Sequence, residues 1–121
     1  MKISEMTNDM AAQALIRLSE PISNICDDDD MLKLLDEVQG MKDEIAIRAI
    51  AKLIPKFVAF GIVKHKKDLY EIVGALMMEP TSKVGGMNFV QTIQALEDSY
   101  DDVLASFFTR SVKQAKNSEE S

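Results

Sequence analysis

The sequence predicts an all-α protein: one compact bundle of five to seven short helices over residues 1–108, then a disordered polar tail over 109–121. Three observations carry that expectation. Apolar residues recur at three- and four-residue steps from Ala11 to Phe108. No stretch alternates apolar and polar at the period of a strand, and no internal repeat or low-complexity linker divides the chain. Hydrophobic residues make up 46% of 121, enough for one real core, but aromatics are only 6% and Trp is absent, so aliphatics and Met must build it.

Thr7 is placed to cap the first helix, whose buried face is Ala11, Ala14, Leu15, Leu18, Ile22 and Ile25. Pro21 lies in the middle of that pattern, so a break is expected near Ser19–Glu20 with a restart at Pro21. A second helix is expected from Asp30 to Gln39, with Asp28–Asp30 at its positive end, Met31, Leu34, Leu35 and Val38 as its stripe, and Gly40 as its stop. A third covers Lys42 to Lys64 with Ile47, Ile50, Ile54, Phe57, Val58 and Ile62 on one broad face and a kink or split at Pro55. After a turn at His65–Lys67, a fourth runs from Asp68 to Met78, buried through Leu69, Ile72, Val73 and Leu76 and ended by Pro80. Thr81 starts a single turn before Gly85-Gly86. Asn88 caps the next helix, buried through Phe89, Ile93 and Leu96, and Asp101 starts a last one holding Val103, Leu104, Phe107 and Phe108. Beyond it, TRSVKQAKNSEES has too little apolar content to pack.

Charge is segmented. Residues 1–44 carry four Lys/Arg against eleven Asp/Glu, residues 45–67 carry six against none, and residues 68–121 carry four against nine, for a net −6. The acidic total argues against a nucleic-acid binder, whose affinity rests on neutralising phosphates. The basic segment fits a helix packed among acidic neighbours. Ile45–Val63 is the best membrane candidate and fails: Arg48, Lys52 and Lys56 fall at four-residue steps on one helical face, and Pro55 interrupts it. The N-terminus has no signal-peptide core, and one Cys excludes an internal disulfide, so a cytoplasmic protein is expected.

No reading of the polar residues yields chemistry. An EF-hand loop from Asp27 would need Gly and Glu where Leu32 and Val38 stand. His65, the only histidine, sits among lysines, and nothing ties it to Cys26. Gly85-Gly86 lacks the Lys-Ser/Thr of a phosphate loop. No enzyme, metal or cofactor is expected. The apolar pairs Met77-Met78 and Phe107-Phe108 do ask for a reason, because adjacent helical residues diverge by about 100 degrees. Either one Met and one Phe face a partner, or short helices wedge both members of each pair into the core.

The run LYEIVGAL, a loop, NFVQTIQALEDSYDDVLASFF and a polar tail resembles the tail assembly chaperones of tailed (siphovirus-type) phages and prophages of Gram-positive bacteria. In that family an apolar-ended helix leads to a Thr- or Ser-containing loop, then a helix xFxxTIxxL, then an acidic segment closing on LxSFF. Here these are Leu69–Met78, Pro80–Gly86, Phe89–Leu96 and Asp98–Phe108. The Gly85-Gly86 pair departs from the family's acidic, helical loop. The likeness covers 65–108 in detail and the N-terminal half only in character. It implies a host-cytoplasmic, non-virion protein that binds the tape measure protein and keeps it soluble, with the tail tube protein a second candidate partner and a homo-oligomer left open. Related proteins are often made in two lengths by a ribosomal frameshift, and a polar tail such as Thr109–Ser121 would suit the junction. The expected binding groups are Met77, Met78, Phe107 and Phe108, with the basic face of Arg48, Lys52 and Lys56 next. The alternatives are a small structural head–tail protein and a helical bacterial regulator or adaptor.

Overall fold

The Thr7 hydroxyl accepts from Met10 N at 3.2 Å and starts helix α1, Asn8–Cys26. In this computed structural model, residues 2–36, 38 and 41–120 are described, the side chains of 43 and 112–120 excepted. After a 3-10 turn at Ile3–Glu5 the order is α1, α2 (Asp29–Asp36), α3 (Asp43–Lys64), α4 (Lys66–Met77), α5 (Thr81–Gly85), α6 (Phe89–Ser99) and α7 (Asp102–Glu120). The fold is all-α, with no strand among the described residues.

Pro21 does not break its helix as expected, and of the kink or split expected at Pro55 the split does not occur: α1 and α3 each run on through theirs. A proline removes one helical hydrogen bond and strains the carbonyl four residues back, at about 3 kcal/mol. At Pro21 the ring is buried beside Leu18, Ile22 and Ile25, so burial offsets that cost. At Pro55 the neighbours Ile54, Phe57 and Val58 are buried while the ring faces outward. α2 is shorter than expected, and the stop assigned to Gly40 lies outside the described residues.

α1 and α4 make the most extensive seam, and α4 also touches α3, α5 and α6. Leu18, Ile22 and Ile25 of α1 and Leu69, Ile72 and Val73 of α4 are fully buried, as the helical periodicity required. α3 packs on α4, α6 and α7. The capping residues read from sequence are in place. Asn88 Oδ1 accepts from Gln91 N at 2.8 Å while Gln91 returns a bond to Asn88 N at 3.0 Å. Asp101 accepts from Leu104 N at 2.9 Å at the head of α7, and from Ser4 N at 3.0 Å, which fastens the N-terminus there.

Two apolar residues expected inside are not. Phe89 is 47% exposed, because α6 buries Thr92, Leu96 and Ser99 instead, and Val103 faces out from α7. α7 continues past Phe108 without a break, the hydroxyls of Thr109 and Ser111 donating to the carbonyls of Ala105 and Phe107. From 112 onward the expected tail falls on residues whose side chains lie outside those described.

Candidate partner-binding surfaces

Met77 and Met78 close α4 at a corner that is built with care. Met78 has φ 56 and ψ 41, the left-handed conformation, and is the only non-glycine residue with positive φ among those described. Glu79 N donates to Gly74 O at 2.9 Å and Met78 N to Ala75 O at 3.3 Å, the paired bonds of a Schellman end. Glycine is the usual occupant of that position. Arg17 reaches across from α1, its Nη2 donating to Glu79 O at 3.0 Å and its Nε to Glu71 Oε1 at 2.8 Å. Gly74 is required at this crossing, since a Cβ there would stand 2.9 Å from Glu79 O. Met77 is half-buried, and Met78 is 38% exposed.

The corner is also an electrostatic joint. Glu71 accepts from the Thr81 hydroxyl at 2.5 Å and from Arg17, and these two bonds, in that order, hold its carboxyl below the usual value of 4.5. A lowered folded-state value contributes stability that is present above the unfolded value and lost as pH falls through the lowered one. Glu71→Gln is therefore expected to lower the urea midpoint at pH 7, with the gap to wild type narrowing below pH 4.5. The side chain is 32% exposed, so an effect of about 1 kcal/mol is appropriate. A gap independent of pH would refute the assignment.

Phe107 and Phe108 diverge as adjacent helical residues must. Phe108 is 8% exposed and meets Phe57 edge to face, ring centroids 5.3 Å apart. It lines a small apolar cavity of about 30 Å³ with Leu35, Leu53, Ile54, Phe57, Leu104 and others from α2, α3, α6 and α7. Phe107 is half-buried. The two pairs do not form one surface: Phe108 belongs to this inner cavity, which neither Met lines.

Arg48, Lys52 and Lys56 do share an exposed face, one per turn of α3, and among the described residues none is in an ion pair. Beside them lies an open groove of about 530 Å³ between α2 and α3, lined by Asp30, Lys33, Leu34, Leu53, Lys56 and Phe60. Sequence reasoning missed it. Leu34 was assigned to a buried stripe and is half-buried at the groove wall. The residues that could have signalled it are Leu53 and Phe60, seven apart on the same side of α3 as Lys56.

His65 and Asp28, for which the sequence offered no chemistry, are partners. His65 Nε2 lies 2.8 Å from Asp28 Oδ2, a hydrogen bond that holds the Asp28 carboxyl below its usual range and ties the α3–α4 turn to the start of α2. Burial pushes the Cys26 thiol up to about 12. Tyr100 donates to Ile47 O at 2.5 Å, and burial first, then Asp102 and Asp101, push its hydroxyl up to about 12. Among the described residues no cluster of three or more His, Cys, Asp or Glu could hold a metal, and no helix is long and apolar enough to cross a membrane. No protein-family model matches the chain, and no curated protein or solved structure is detectably similar to it.

Proposed function

We propose that this chain is a non-enzymatic tail assembly chaperone, which binds the tape measure protein in the host cytoplasm and keeps it soluble while tail tube subunits assemble round it. The observation that carries the reading furthest is Met78. A large, flexible, apolar side chain is held partly exposed at a left-handed corner where glycine would fit without strain. Strain kept at an exposed apolar residue is more readily explained by contact with a partner than by the needs of the fold. The resemblance over residues 65–108 supplies the identity of that partner, and exposed Val90 and Phe89 add apolar surface suited to a helical client.

The decisive experiment is co-expression with the tape measure protein of the same genome. Wild type is expected to move the client into the soluble fraction, and Met78→Ser, folded by circular dichroism, to do so much less. A client that stays insoluble with wild type sinks the reading. Detection of the protein in purified virions would favour the structural head–tail alternative. A salt-sensitive gel shift through Arg48, Lys52 and Lys56 would favour a nucleic-acid regulator.

A further inference from the structure

We propose that the groove between α2 and α3 is the docking site for an amphipathic helix with acidic flanks, contributed by the client. This assignment rests on the client-binding reading and adds to it where the contact is made and what chemistry it selects.

The shape suits a helix. The floor is Leu53 and Phe60, seven residues apart on α3, or about 10.5 Å along its axis. Apolar residues at i, i+3 or i+4, and i+7 of an incoming helix span the same distance. Leu34 supplies the facing wall from α2. Leu53 also lines the inner apolar cavity, so one side chain borders both spaces.

The charge selects the sign. Lys33 stands on one rim and Lys56 on the other, both exposed, and neither is in an ion pair among the described residues. Asp30, the only acid of the lining, is already paired with Lys64. That lysine also sits 5.4 Å from the Phe60 ring centroid, so it bridges α2 and α3 at one end of the groove. Lys52 and Arg48, also exposed, follow Lys56 at four-residue steps back along α3 and outside the lining. A protein of net −6 thus presents two lysines unpaired among the described residues, Lys33 and Lys56, at an apolar groove. An acidic-flanked helix satisfies both the apolar floor and those lysines, whereas a phosphodiester backbone would leave Leu34 and Leu53 without a partner.

The test uses two labelled synthetic helices with the same Leu positions, one flanked by Glu and one by Lys, titrated with the full chain by fluorescence anisotropy. Wild type is expected to prefer the Glu helix, and Lys33→Glu/Lys56→Glu to lose about tenfold in affinity for it while gaining for the Lys helix. Lys33→Gln/Lys56→Gln, the milder pair, should fall between. Equal binding of both helices by wild type, or no change in either double variant, overturns the proposal. So does a concentration-dependent dimer that Lys33→Glu/Lys56→Glu abolishes, since the occupant would then be a second copy. Displacement of the Glu helix by duplex DNA overturns it as well. Co-expression separates the two ideas. If Lys33→Glu/Lys56→Glu keeps the client soluble and Met78→Ser does not, the groove is wrong and the chaperone reading stands. If the peptide preference reverses as expected but wild type never protects the client, the groove stands and the chaperone reading falls.

Discussion

Ile72→Ala is expected to lower the unfolding free energy by about 3–4 kcal/mol, the range for truncating a fully buried aliphatic whose surroundings cannot collapse. Ile72 is 0% exposed and sits midway along α4, between Leu69 and Leu76. α4 touches α1, α3, α5 and α6, so the void would be walled by elements already fixed by other contacts. For a domain with about 5–15 kcal/mol in total, that is a large share of its stability. Urea denaturation followed by helical circular dichroism measures it, and the midpoint should fall with the slope unchanged. A loss below about 1 kcal/mol would mean that α4 is not the centre of the fold.

Met78→Gly is expected to act in two directions at once. A non-glycine residue in the left-handed region carries about 1–2 kcal/mol of strain, part of which glycine gives back through its freer unfolded chain. The net expectation is a gain of about 0.5–1 kcal/mol in stability. Loss of an apolar anchor at an interface costs about 2 kcal/mol, roughly thirtyfold in affinity for the proposed client. A more stable protein that protects its client less well is the signature of a residue kept for binding. If Met78→Gly is less stable, the side chain contributes more to packing than its strain removes. If client protection is unchanged, Met78 touches no client.

Local features were legible in the sequence and long-range ones were not. Thr7, Asn88 and Asp101 declare their helix starts through side chains that reach only three residues on. The buried stripes of α1 and α4 follow from periodicity alone. Pro21 misled because its penalty is local, whereas its burial is fixed by how the whole of α1 packs. Phe89 misled because a rotation of α6 decides which of two adjacent faces is covered, and Thr92 won that place. The Met78 corner depends on Arg17, 62 residues before its acceptor Glu79. The groove is invisible for the same reason: Leu34 reads as core, and that it faces Leu53 across a gap depends on how two separate helices pack.

The lone thiol gives the molecule a memory. Cys26 ends α1 at 1% exposure, and burial raises its pKa to about 12, so in the closed state it is neither reachable nor ionised. With no second Cys in the chain, oxidation can link it only to another molecule. A covalent dimer in an ageing preparation is then a tally of past openings at the α1–α2 junction, written by the protein without any added label.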